Sequence, residues 1–173
     1  MPLPKDYSGQ NCSLARALEI VGERWTLLIV RDAFFGVRRF GDFVAHLDIP
    51  RAVLAERLGS LTEAGVLRGT SGGHGHTEYM LTGKGVSLWP VLRSLLTWGD
   101  EHYSDSGPSR VFRHGADGGL VNRDGVCGAC GQAVPVRDLL VAPGPGLSSR
   151  PARTDAISAA LAGPHRLLEP VRA

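Results

Sequence analysis

Residues 38–65, RRFGDFVAHLDIPRAVLAERLGSLTEAG, contain two short helical patterns joined by a tight connection. The first pattern places Phe40 and Phe43 on one face, because residues three or four apart are neighbours on a helix. Residues 48–50 form the connection, and Pro50 suits the first turn of a new helix, where its missing N–H costs nothing. This stretch therefore predicts two helices separated by a turn.

The second helix is predicted from about Pro50 to Ala64. Its leucines lie three or four residues apart and predict a buried face; they are Leu54, Leu58 and Leu61. Its outward face carries mostly small side chains, from Ala52, Ala55, Glu56 and Gly59. This face is nearly flat, and Arg51 and Arg57 lie on its flanks.

The surrounding sequence extends this arrangement on both sides. Two helical patterns come before it, near residues 13–21 and 25–35, and two strand patterns follow, at 66–68 and 77–81. Thr82 is then expected to cap a long apolar helix through Trp98, with a kink at Pro90. Its wide apolar surface is typical of a helix that packs against a partner. Two helices, a turn and a hairpin are the order of a winged helix-turn-helix.

The composition changes after residue 103. Seven of the 11 prolines lie in the last 70 residues, and residues 141–151 are expected to form an irregular linker. We therefore predict a winged-helix domain at 1–103 and a small, irregular or β-rich extension at 104–173. The predicted fold class is mainly α with a small β-hairpin wing.

Composition and charge exclude several classes of protein. Hydrophobic residues make up 43% and charged residues 21%, which is typical of a globular protein. No apolar run is long enough to span a membrane, and three cysteines argue against a secreted disulfide scaffold, so we expect a cytoplasmic protein. No catalytic triad or phosphate-binding glycine loop is present, which indicates that the chain is not an enzyme. The net charge is only +2, so a nucleic-acid partner must be argued from the placement of charges.

The sequence resembles the HxlR-type winged-helix transcriptional regulators of bacteria, which are related to the MarR group. The resemblance covers about residues 11–103 and rests on six segments in order: CSLARAL (12–18), GERWTLLIVRD (22–32), GVRRFGDF (36–43), IPRAVLAERL (49–58), EYMLTGKG (78–85) and LWPVL (88–92). It implies a homodimer that pairs through its N-terminal and long C-terminal helices, binds near-palindromic double-stranded DNA and commonly represses. The recognition helix would begin at Pro50, with the wing at 66–81.

A winged helix places its second helix in the major groove, where helix N-terminal amides also favour phosphate. The predicted DNA-contacting residues are Arg38, Arg39, Pro50, Arg51, Ala52, Ala55, Arg57, Arg68, His74 and His76. The alternative for Arg38 and Arg39 is a solvated turn. The tip, GGHGH at 72–76, departs from the prolines and basic residues of many relatives. We expect weaker or pH-dependent phosphate attraction there, through His74 and His76.

Two other functions compete with DNA binding. A winged helix that binds protein instead of DNA is favoured by the eleven basic and eleven acidic side chains of residues 1–103, which cancel. An enzyme built on the CxxC pair is a more distant alternative. Steep salt dependence of DNA affinity would distinguish the first alternative, because phosphate contacts release counterions.

Cys12 lies at the start of the first predicted helix. One interpretation is a small buried hydrophobe, since free cysteine is often buried. The other is a sensor thiol, because a helix N-terminus can favour the reactive thiolate. The resemblance supports sensing, since a cysteine is frequent at this position and some members respond to oxidants or electrophiles through it.

Residues 127–131, CGACG, resemble one knuckle of a zinc ribbon, in which a turn aims two thiolates at one metal. Some relatives carry a second cysteine knuckle upstream, whereas residues 113–119 here read RHGADGG. Cys127, Cys130 and His114 are therefore candidate metal ligands, and the sequence shows no fourth. A redox dithiol and a ribbon that keeps its fold without metal remain alternatives. We expect no cofactor unless zinc binds here.

Overall fold

The structure is a computed structural model that describes residue 7 and residues 9–72, 75–148 and 153–171. Its N-terminal part contains helices α1 (Ser13–Val21), α2 (Thr26–Phe34), α3 (Phe40–Leu47) and α4 (Arg51–Glu63). The antiparallel strands β1 (Leu67–Ser71) and β2 (Thr77–Leu81) follow, and then the helices α5 (Gly83–Val86) and α6 (Trp89–Tyr103). The predicted mainly helical fold with a hairpin wing is confirmed, and residues 13–103 are called the winged-helix region below.

The turn between α3 and α4 is set by local backbone geometry. Asp48 adopts a left-handed conformation with φ of 54°, and its N–H donates to the Val44 carbonyl at 2.9 Å. The Leu54 N–H donates to the Pro50 carbonyl at 3.0 Å, which starts α4 at once. Three leucines form the buried face of α4 as predicted: Leu54, Leu58 and Leu61.

The single kinked helix expected after Thr82 is instead two helices, α5 and α6. The Thr82 hydroxyl accepts a hydrogen bond from the Gly85 N–H and therefore caps α5, as predicted. Pro90 lies in the first turn of α6, where it does not interrupt a helical hydrogen bond. The break between the helices thus replaces the kink.

The C-terminal region, residues 110–171, contains an antiparallel sheet in the order β3 (Arg110–His114), β4 (Leu139–Pro143) and β5 (His165–Arg166). Helix α7 (Ala156–Ala160) lies between β4 and β5 in the sequence. The expectation of an irregular linker at 141–151 is wrong for its first residues. Val141 is buried in β4, between Phe112 of β3 and His165 of β5, because the apolar strand fills the middle of the sheet.

Side chains from both regions meet in one core. The Trp89 ring lies 5.1 Å from that of Phe34 and 5.2 Å from that of Phe112, measured between centroids. The Leu168 N–H also donates to the Phe34 carbonyl at 2.8 Å, so the end of the chain is fastened to α2. A domain division after residue 103 stays a prediction. Within the described ranges, no helix is long and apolar enough to cross a membrane.

Candidate nucleic-acid interface

The outward face of α4 is open and nearly flat. Its exposed residues are Ala52, Ala55, Glu56 and Gly59. Apart from its own helix backbone and chain neighbours, a Cβ atom added at Gly59 would meet no atom of the described chain within 4 Å. A groove edge can therefore approach the backbone of this helix closely.

The N-terminal end of α4 attracts negative charge. Among the described residues, no side chain caps this end, and its first turn contains no acidic residue. The exposed Arg51 guanidinium lies 5.3 Å from the centre of the Phe40 ring, a cation–π contact that holds it beside the helix end. Uncapped amides with an arginine form a favourable site for a phosphate.

Arg57 differs from Arg51 in its surroundings. Its guanidinium donates to the Glu56 carboxylate, and only 19% of its side chain is exposed. The Glu56 charge partly offsets that of Arg57. Of these two arginines of α4, Arg51 is therefore better placed to attract a phosphate.

Arg39 immediately precedes Phe40 and contacts the hairpin. Arg39 pairs with Glu78 of β2 through the backbone, and its Nε atom lies 3.8 Å from Glu78 Oε1. The Arg39 side chain is 59% exposed, so it remains accessible to a phosphate. His76 is exposed near the tip, where its carbonyl accepts the Gly72 N–H at 2.7 Å. His74 lies outside the described residues.

Arg38 and Arg68 line a common cavity, which Arg137 and Arg166 of the C-terminal region also line. The Arg38 guanidinium donates to the Leu168 carbonyl at 3.2 Å, and its own carbonyl accepts the Tyr79 N–H at 2.8 Å. Arg38 is thus half-buried and linked to the C-terminal region, a contact that the sequence did not predict. Its role toward DNA stays a prediction.

A buried ionic cluster that sequence reasoning missed fastens α3 to α2. The fully buried Asp32 carboxylate lies 2.7 Å from His46 Nδ1 and 2.7 Å from Arg31 Nη2. A buried charge requires such partners. The signal available in the sequence was the adjacent Arg31 and Asp32 within a helix that is otherwise largely apolar.

Cys12 is exposed immediately before α1. The interpretation of Cys12 as a small buried hydrophobe is therefore wrong for the single chain. Its backbone is extended and its carbonyl accepts the Arg16 N–H at 3.2 Å, which begins the helix. The thiol is accessible to a small reagent.

The three predicted metal ligands lie together, and Asp117 joins them. Ligand atoms of His114, Asp117, Cys127 and Cys130 all lie within 4.8 Å of one another. The sequence analysis did not include Asp117 among the ligands, although it lies within residues 113–119, which correspond to the second cysteine knuckle of some relatives. The spacing His-x-x-Asp, followed by a glycine at 118, was the signal that could have identified it.

Electrostatics in this cluster favour an ionised carboxylate. The backbone N–H of Gly119 lowers the pKa of Asp117 to about 2, helped by hydrogen bonds from Cys130, Cys127 and His114. The Gln132 N–H acts to lower the pKa of Cys130, but desolvation and the neighbouring Asp117 and Cys127 together raise it. A carboxylate beside two thiols creates a site for a positive charge.

Comparisons with known proteins agree with the resemblance. The model of the HxlR-like helix-turn-helix family matches residues 20–106. The HTH-type transcriptional regulator Rv3095 of Mycobacterium tuberculosis is 42% identical over 141 residues, which cover 80% of this chain and 89% of that protein. The regulator YvaP of Bacillus subtilis is 35% identical over 89 residues, covering 50% of this chain and 82% of YvaP.

A solved structure extends the likeness beyond the winged helix. The crystal structure of PA1607, described as a transcription factor, superposes with a TM-score of 0.62 at 37% identity. The match covers 73% of this chain and 91% of PA1607. These relatives are regulators and not enzymes, in agreement with the sequence prediction. This chain is a DNA-binding transcriptional regulator and belongs to the HxlR-like helix-turn-helix family.

Proposed function

We propose that this chain acts as a homodimer whose two α4 helices enter successive major grooves of a near-palindromic operator. Paired recognition helices read half-sites about 34 Å apart, one turn of the DNA. In this arrangement Arg51 and the first amides of α4 hold a phosphate or a base edge. Ala52, Ala55 and Gly59 allow the helix to approach the groove closely.

The observation that carries the proposal is the open end of α4. It combines amides without a side-chain cap in the described chain with an exposed arginine and a face of small side chains. A protein-binding winged helix would not need this combination. Arg39 precedes Phe40, whose ring Arg51 contacts, and adds an accessible charge there because its side chain is 59% exposed.

An Arg51→Ala substitution tests this role. If Arg51 contacts a base, the affinity for the operator should fall by about 1–3 kcal/mol. If it contacts a phosphate, affinity should fall about equally for all DNA sequences, and the slope of log affinity against log salt concentration should become smaller by about 1. Arg123→Ala is a matched control, because it removes the same charge from an exposed side chain of the C-terminal region. Equal affinities for the two variants would remove Arg51 from the interface.

The homodimer is supported by an apolar surface on α1 and α6. Its large exposed side chains follow helical spacing on each helix: Leu14 and Leu18 on α1, and Val91, Leu95 and Trp98 on α6. A helix that exposes an apolar face in this way is typical of one that packs against a partner. A second copy is the occupant that the family resemblance implies.

A charged residue in that surface tests the dimer. Trp98→Glu should give a monomer in sedimentation equilibrium, because burial of a carboxylate in an apolar interface is unfavourable. Leu120→Glu alters an equally exposed apolar side chain of the C-terminal region and should leave the dimer intact. A Trp98→Glu protein that remains dimeric would place the interface elsewhere.

Repression in the cytoplasm, with release by a thiol-reactive signal, completes the proposal. The exposed Cys12 adjoins α1, so its oxidation would alter the apolar surface and shift the spacing of the two α4 helices. Diamide treatment should release wild-type protein from its operator but not Cys12→Ser. Identical release of both proteins would exclude Cys12 as the sensor.

A further inference from the structure

Two turns of the C-terminal region face each other outside the predicted DNA-binding surface. The first closes where the Gly118 N–H donates to the His114 carbonyl at 2.8 Å, which brings His114 and Asp117 to one side. The second closes where the Gly131 N–H donates to the Cys127 carbonyl at 2.9 Å. Each turn supplies two side chains that can bind a metal.

Three of the separations between ligand atoms are close to those of a tetrahedral site. His114 Nδ1 lies 3.2 Å from Asp117 Oδ2 and 3.6 Å from Cys130 Sγ. Cys127 Sγ lies 3.5 Å from the same Asp117 Oδ2 atom. A tetrahedral Zn²⁺ with bonds of about 2.0–2.3 Å separates its ligand atoms by roughly 3.3–3.8 Å. All four ligand atoms lie within 4.8 Å of one another, so a contraction of about 1 Å at most would enclose one ion.

We propose that His114, Asp117, Cys127 and Cys130 bind one structural Zn²⁺. Two sulfur atoms, one imidazole nitrogen and one carboxylate oxygen form a borderline-soft set that favours zinc over magnesium or calcium. On binding, both thiols lose their protons to solvent. The negative charges of the two thiolates and the Asp117 carboxylate then exceed the positive charge of the ion. Four protein ligands fill the tetrahedron, which is typical of a structural site and not of a catalytic one.

The surrounding backbone holds the ligands in place. The Ala129 N–H points at Cys127 Sγ at 3.4 Å, a contact that stabilises a thiolate, and Cys127 is fully buried. The Gly119 N–H donates to Asp117 Oδ1 at 2.8 Å and orients the carboxylate. A Cβ atom at Gly119 would lie 2.6 Å from Cys127 Sγ, so only glycine lets these two turns approach.

The ion would fasten these turns to the rest of the molecule. Val121, which follows the first turn, accepts a hydrogen bond from Arg93 of α6 at 3.4 Å through its carbonyl. The Arg93 guanidinium also lies 4.7 Å from the centre of the Phe112 ring. Zinc would thus stabilise the part of the C-terminal region that packs against α6, whether or not the chain binds DNA.

The test measures zinc in the full-length reduced protein. Native mass spectrometry and elemental analysis should find about one Zn²⁺ per chain after purification without chelator. Replacement by Co²⁺ should give the visible absorption of a tetrahedral site with thiolate ligands. Absence of both signals from the reduced protein would overturn the proposal.

Variants separate metal binding from folding. Cys130→Ser alters an exposed side chain and should lower the Zn²⁺ affinity more than about 100-fold, since even outer partners of ligands contribute 10–100-fold. Asp117→Cys creates a Cys₃His set and should retain zinc with a stronger Co²⁺–thiolate absorption. Cys12→Ser is the matched control and should bind zinc as the wild type does. Equal affinity of Cys130→Ser and Cys12→Ser would contradict the proposed ligands.

Discussion

The winged-helix region and the C-terminal region are stabilised by contacts of different range. In the first, Leu54, Leu58 and Leu61 lie on one helix and form a buried face through local periodicity. In the second, the buried Phe112 and Val141 come from strands about thirty residues apart. A local pattern is thus enough to specify the DNA-reading helix, whereas the C-terminal region depends on distant pairings.

The two regions also use polar clusters differently. Asp32 is fully buried and joins two helices that already pack through apolar side chains. The cluster around Asp117 joins two glycine-rich turns that have few large side chains of their own. Small or loop-rich segments often need a metal because their apolar core is insufficient. This difference predicts which substitutions affect which region.

The largest effect is expected within the winged-helix region. Asp32→Ala leaves His46 and Arg31 without their buried partner and should lower the free energy of unfolding by about 3–5 kcal/mol. Chemical denaturation measures this loss. Asp32→Asn keeps hydrogen-bonding capacity and is the control, with a smaller loss. If Asp32→Ala unfolds like the wild type, the cluster does not hold α3 in place.

A smaller effect is expected where the two regions meet. Gly36 has φ of +92°, and a Cβ atom there would lie 1.8 Å from the Glu169 carbonyl oxygen. Gly36→Ala should therefore displace the end of the chain and destabilise the protein by about 1–3 kcal/mol. Limited proteolysis should show faster cleavage near residues 165–171. Gly41→Ala is the control, because apart from its own helix its Cβ would meet nothing within 4 Å in the described chain. Equal cleavage of the two variants would contradict the close contact between Gly36 and Glu169.

The smallest effect is expected at the turn before the recognition helix. Asp48 has φ of 54°, a conformation that Asn tolerates and Ala does not favour. Asp48→Ala should reduce stability by about 1 kcal/mol, and Asp48→Asn should leave it nearly unchanged. Thermal unfolding of the two variants checks the difference. A more stable Ala variant would show that the left-handed turn is not maintained.

Sequence periodicity predicted the parts of the fold that depend on neighbouring residues. The faces of α3 and α4, the hairpin and the Thr82 cap all follow from residues within one element or its immediate flank. The break between α5 and α6 was less predictable, because Pro90 is compatible with either a kink or a new first turn.

Contacts between distant residues were not predictable in this way. Arg38 donates to the carbonyl of Leu168, which lies 130 positions later, so the residues adjacent to Arg38 in the sequence did not predict that partner. Asp117 lies close to His114 in the sequence, but it meets Cys127 and Cys130 only because two turns face each other. Val141 was expected in a linker because prolines and glycines follow it, yet strand pairing buries it. Each of these outcomes depends on tertiary packing.

The central claim is that two α4 faces read DNA as a symmetric pair. Selection of bound sequences from random DNA duplexes, followed by sequencing, tests it most directly. The account predicts an enriched palindromic site whose half-sites are centred about 10 base pairs apart, and weaker binding of that site by Arg51→Ala. Absence of any enriched sequence at low salt would contradict the claim and would point to a protein partner for this surface.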